Sequence, residues 1–122
     1  MTRRPTVVIP MNYYPYTTPM LTRAEDLLLK LGIPPHLRGF GLLARATVLR
    51  ANDPHCNLIN IYTRIAPDYG ITAKTVENLI YYVIYNTQNN IGDVLGLSRE
   101  EMIVSNIIAS LAMRIKPERS NK

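Results

Sequence analysis

Apolar residues recur at intervals of three and four along most of this chain, and proline and glycine interrupt the rhythm where helices would stop. Leu27, Leu28 and Leu31 form a first apolar face. Thr22 with Glu25 three residues later has capping-box spacing, and Gly32 stands where a left-handed C-cap is wanted, which predicts a helix over about 23–31. Pro34 and Pro35 break the chain; Pro35 suits a first helical position, and Leu37, Phe40, Leu43, Ala44, Thr47 and Val48 then mark the buried side of a second helix ending near Ala51. Asp53 and Pro54 repeat the start signal, and Leu58, Ile59, Tyr62 and Ile65 predict a third helix reaching Ala66 and stopping at or near Pro67. Gly70 permits a tight turn and Thr72 can cap; Val76, Leu79, Ile80, Val83 and Ile84 then give the cleanest stripe, a fourth helix to about Asn86.

Asn89, Asn90, Gly92 and Gly96 form a polar connector around a single expected turn at 91–95. Ser98 with Glu101 supplies a second capping box, predicting a last helix with Met102, Ile103, Ile107, Leu111 and Ile115 pointing inward. Glu100 and Glu101 would occupy its positive end, Arg114 and Lys116 its negative end, and Pro117 would stop it. No segment alternates with the period of a strand, and no internal repeat is present. The expected fold class is all-α, a bundle of five to six helices.

Pro5, Pro10, Pro15 and Pro19, interleaved with Tyr13, Tyr14 and Tyr16, prevent both a helix and a central strand, so 1–21 reads as an extended arm. The helical domain is expected over 22–117, with a basic tail at 118–122.

At 122 residues, 47% hydrophobic and 19% charged, the chain fits one globular domain. Its one cysteine, Cys56, permits no internal disulfide and suits a reducing compartment, so a cytoplasmic location is expected. The short Val7-Val8-Ile9 run between Pro5 and Pro10 is too brief for a signal peptide. The longest apolar run, 79–85, falls far below the roughly 18 residues of a membrane span; no membrane partner is expected. The net charge of +5 is uneven: residues 1–64 hold 8 Lys/Arg against 3 Asp/Glu, and 65–122 hold 6 against 6. A basic first half attracts phosphate backbones or an acidic partner.

Tyr62, Ala66, Gly70, Ile71, Val76 and Leu79 reproduce a helix-turn-helix pattern at about 58–87: a small residue where helices cross, glycine at the turn, then apolar positions seating the second helix. The outer residues of that second helix would be Lys74, Thr75, Asn78, Tyr81, Tyr82 and Tyr85. Base reading normally uses arginine on guanine and asparagine or glutamine on adenine. This face offers one lysine, one asparagine, no arginine and three tyrosines.

The run Leu31-Gly32-Ile33-Pro34-Pro35-His36-Leu37-Arg38-Gly39-Phe40, and again Thr72-Ala73-Lys74-Thr75-Val76-Glu77, resembles the C-terminal effector domain of the master response regulator of sporulation initiation. Asn52-Asp53, Tyr62, Ile65-Ala66, Gly96 and Ser105 to Leu111 agree with it, and the match spans about residues 22–116. The resemblance implies a bundle of about six helices whose helix-turn-helix binds promoter DNA, normally in tandem copies, under a phosphorylated receiver domain. A stand-alone domain without a receiver module before helix one is expected, with control from elsewhere. His36 then belongs to a shared structural run, with packing or capping as its expected role. The family's recognition helix carries Ser-Arg-Val-Glu-Arg-Ala-Ile-Arg-His, whereas this chain has Lys74-Thr75-Val76-Glu77-Asn78-Leu79-Ile80-Tyr81-Tyr82.

Two functional expectations follow. In the first, the protein is a DNA-binding transcription regulator with altered or weakened base specificity, using Lys74, Thr75 and Asn78 at bases and Arg38, Arg45 or Arg50 on phosphates, with Tyr81 and Tyr82 as further DNA-facing candidates, as a homodimer or in tandem. In the second, it is an interaction or dimerisation module that kept the fold, with Tyr81, Tyr82 and Tyr85 as anchors for a protein partner and Tyr13, Tyr14 and Tyr16 of the arm packing on the same stripe. Catalysis is not expected, since no nucleophile with a base is visible, nor is a metal or cofactor, since Asp53, His55 and Cys56 stand too close in sequence to converge easily.

Overall fold

The second helix, α2 (Arg38–Asn52), is buried on nearly every side, through Gly39, Phe40, Leu42, Leu43, Ala44, Ala46, Thr47, Val48, Leu49 and Ala51. A helix buried this far must be enclosed by others, and its neighbours in the chain enclose all but a strip at Arg38, Gly41 and Arg45. The computed structural model describes residues 18–116. Its helices are α1 (Thr18–Lys30), α2, α3 (Leu58–Tyr69), α4 (Ala73–Asn86), α5 (Gln88–Leu95) and α6 (Val104–Ile115), with a 3-10 turn at Arg99–Glu101. The described residues contain no strand, so the fold is all-α, a helical bundle. Helices α1, α3, α4 and α6 all pack on α2, and α5 bridges α4 to α6. One hydrophobic core results, running from Met20 to Ile115. No helix among the described residues is long and apolar enough to cross a membrane.

Several helix ends differ from the sequence expectation. Helix α1 begins at Thr18 rather than near Arg23, because Met20 extends the buried row of Ala24, Leu28 and Leu31 by one turn. Thr22 is therefore inside the helix and its pairing with Glu25 is no cap. The first seventeen residues, with Tyr13, Tyr14 and Tyr16, and the tail 117–122 lie outside the described residues. Helix α2 starts at Arg38, three residues after Pro35. Asp53 serves as the C-cap of α2, its carboxylate accepting from the His55 N–H at 3.2 Å, so α3 starts later, at Leu58.

Ile59 and Ile103, expected inside, are 60% and 54% exposed. The α3 row that meets the core is Ile61, Tyr62, Ile65 and Ala66, and Ile59 falls off its edge in the first turn. Ile103 is the extended N-cap of α6, ahead of that helix's inward row. The Ser98–Glu101 capping box forms, with the Ser98 N–H donating to Glu101 at 2.8 Å, but it opens the 3-10 turn and not α6. Glu100 and Glu101 thus lie outside α6, whose last turn does hold Arg114. The Ser98 contacts hold the Glu101 carboxyl below its ordinary pKa. The connector after α4 forms a full helix, α5, longer than the single turn expected at 91–95.

Candidate nucleic-acid interface

Helix α3 opens on Asn57, whose side chain accepts from the Asn60 N–H at 3.0 Å. It then runs past Pro67 for two more residues, beyond its expected stop. The proline ring removes one donor in the last turn, and the end is rebuilt by Gly70 at φ 65°. There the Gly70 N–H reaches the Pro67 carbonyl at 3.2 Å and the Ile71 N–H reaches the Ala66 carbonyl at 3.2 Å. This pair of bonds is the Schellman closure, which favours glycine at its left-handed residue. Two residues later Thr72 caps α4, its hydroxyl accepting from the Thr75 N–H at 3.1 Å. Two packed helices are thus joined by Gly70, Ile71 and Thr72, the short glycine-bearing link of a helix-turn-helix.

Helix α4 buries Val76, Ile80, Val83 and Ile84. On the opposite side Lys74, Asn78, Tyr81, Tyr82 and Tyr85 are exposed, and Thr75 is half-buried at the flank. The polar residues occupy the N-terminal half of this outer face and the tyrosines its C-terminal half. Tyr81, Tyr82 and Tyr85 are 58%, 58% and 63% exposed. Lys74 Nζ lies 3.1 Å from the Glu77 carboxylate, an exposed pair one turn apart, and such pairs are weak and easily exchanged for another anion. Two depressions flank the stripe. An open groove of about 740 Å³ runs between the α1–α2 turn and the end of α4, with Pro34, Leu37, Tyr82 and Tyr85 among its walls. A smaller one lies between Tyr81, Tyr85, Met102 and Val104.

The depth at which α4 sits is set by Gly39. A Cβ there would clash with the Leu79 carbonyl oxygen and meet Val83 Cγ1 at 2.8 Å, so only glycine lets α2 and α4 approach this closely. Sequence spacing singled out neither this contact nor Arg64, exposed on α3. Gly39 carries no periodic signal, and Arg64 is an isolated charge on a polar face.

The three arginines expected on phosphates do not share one surface. Arg45 stacks over the Tyr69 ring at 5.5 Å from its centroid, and Arg38 also acts on the Tyr69 hydroxyl electrostatically. Burial raises the Tyr69 pKa, while Arg45 opposes that rise. Arg50 instead borders a hollow formed with Cys56, Asn57, Ser105 and Asn106. His36 is exposed in the turn before α2. Asp53, His55 and Cys56 lie in the α2–α3 turn, where the Asp53 carbonyl accepts from the Cys56 N–H at 3.0 Å. Tyr62 faces the core, and burial, with a smaller contribution from Glu77, pushes its phenol up to about 12.

No curated protein and no solved structure matches the chain. A family model does: that of the sporulation initiation factor Spo0A C terminal, over residues 24–115. These residues contain nearly all of the bundle and the whole of α3, its turn and α4, and this is a family of DNA-binding regulatory domains, not of enzymes. The chain therefore belongs to the Spo0A C-terminal effector-domain family.

Proposed function

We propose that this protein binds duplex DNA through α4 and regulates transcription with a base preference unlike that of the arginine-bearing members of its family. The observation that carries the reading is the outer face of α4, which places Lys74, Thr75 and Asn78 on the N-terminal half of the second helix of a helix-turn-helix. That half is the one such motifs insert into the major groove. Each bidentate base contact is worth about 1–3 kcal/mol, and about 4–10 kcal/mol separates specific from nonspecific binding. Exchanging three arginines for other residues therefore changes which site is read. Arg38 and Arg64 are candidates for phosphate contacts that position the helix.

A salt titration of duplex binding tests the reading, comparing the wild type with Lys74→Ala and with Tyr81→Ala plus Tyr82→Ala. Expected is salt-dependent binding in the wild type and weaker binding in both variants, with the salt slope reduced by about one for Lys74→Ala. Unchanged affinity in both would remove α4 as the reading element.

The exposure of Tyr81, Tyr82 and Tyr85 favours a second reading, an interaction module with a tyrosine anchor. Its signature is tyrosine-dependent association with a second copy or another protein in a chain with no affinity for duplex DNA.

A further inference from the structure

We infer that α4 selects A·T base pairs, with Asn78 reading an adenine and the rings of Tyr81 and Tyr82 resting on thymine methyl groups. This rests on the reading of α4 as the DNA-contacting helix.

Three polar side chains on or beside the outer face, Lys74, Thr75 and Asn86, already have partners on α4 or its cap. Lys74 Nζ is 3.1 Å from Glu77. The Thr75 hydroxyl lies 2.9 Å from that of Thr72. The Asn86 amide donates to the Tyr82 carbonyl at 2.8 Å, folding back on its own helix. The Asn78 side chain makes no hydrogen bond to another described residue and is exposed. Its amide sets a donor and an acceptor side by side on separate atoms, and that pair matches N7 and the N6 amine of adenine in the major groove, which a single tyrosine hydroxyl cannot do.

Guanine is poorly served by the same face. Its N7 and O6 are both acceptors and are read by arginine or lysine. Helix α4 contains no arginine and a single lysine, Lys74, in its first turn. Tyr81 and Tyr82 stand three and four residues beyond Asn78, so the three side chains are neighbours on one face. Their rings are more than half exposed and present apolar surface next to the amide. The apolar feature of the major groove is the thymine C5-methyl, and an adenine contact brings the helix beside thymines wherever A·T pairs adjoin. From Lys74 to Tyr85 the helix rises roughly 16 Å, a length of about five base pairs.

The test uses the full chain in three steps: selection from a random duplex library, binding to the selected duplex, and binding to versions with uracil for thymine or with G·C pairs. Expected are selected sites with adjoining A·T pairs, an affinity about tenfold lower for the G·C version, and a several-fold loss on uracil, which lacks the methyl. Tyr81→Phe with Tyr82→Phe keeps the loss on uracil, whereas Tyr81→Ala with Tyr82→Ala binds both duplexes equally. Asn78→Ala loses the adenine preference while retaining salt-sensitive binding and an unchanged circular-dichroism melt. Guanine-centred sites, or a preference indifferent to Asn78→Ala and to uracil, overturn the inference. Binding that is salt-sensitive but base-indifferent overturns it alone, and no binding to any duplex at low salt overturns the underlying reading as well.

Discussion

The absent side chain at position 39 is what lets α4 lie this close to α2. Gly39→Ala would drive a Cβ against a backbone oxygen that has no rotamer with which to yield. The expected cost is about 1–3 kcal/mol, read as a lower urea midpoint with an unchanged slope. Tyr62 offers a second test at single-residue resolution. Its phenol is raised from 10.0 to about 12 by burial, so the native state holds this proton where the unfolded state has released it. Stability from this group is complete below pH 10 and is lost as the pH rises through 12. Tyr62→Phe should flatten that decline by at most about 2 kcal/mol, seen in denaturation curves at pH 9 and pH 11.5. Which residues of α4 face outward was legible from the sequence, since Val76, Ile80, Val83 and Ile84 fix the helix's rotation. The gathering of Arg38 and Arg45 at Tyr69, with Arg50 elsewhere, was not, because pairings across helices leave no mark in local spacing.

Among the helices, caps decide where each begins only when the tertiary contacts agree. Thr72 and its bond to Thr75 define the start of α4 as the sequence predicts. Thr72→Ala should cost about 1 kcal/mol and Thr72→Ser much less, measured as a shift in melting temperature, with a matching loss of DNA affinity if the first turn of α4 frays. Elsewhere the same signals misled for physical reasons. Thr22 and Glu25 have the spacing of a cap, yet burial of Met20 rewards an earlier start. The Ser98–Glu101 box forms locally, but its turn ends before the core-facing row of Ile107, Leu111 and Ile115 begins. A capping motif records a local bond, whereas helix length is settled by packing.

For the molecule as a whole, enclosure of α2 makes the fold a single cooperative unit. Leu43 is fully buried at its centre, and Leu43→Ala should cost about 2–5 kcal/mol, lowering the stability of every helix together in hydrogen exchange. The two ends of the described chain are tied as well, since Arg23 Nη1 donates to the Ile115 carbonyl at 3.2 Å, across the C-terminus of α6. The all-helical class and the position of the helix pair could be read from periodicity and turn residues. That α2 would be the central helix could not, because its sequence stripe shows one apolar face and the structure buries nearly all of them.

The contact at Gly39 bears on how such a protein changes its target. Helix α4 sits with its Leu79 carbonyl against Gly39 of α2, an approach that leaves no room for a Cβ, so its height and tilt are inherited from the scaffold. On the proposed reading of α4, a new site preference is acquired by exchanging the residues at 74, 75, 78, 81, 82 and 85, one letter at a time, while the helix stays where it is. Transplanting those six into another domain of this fold should carry the preference across, and the same six should fail to do so where α2 lacks the glycine.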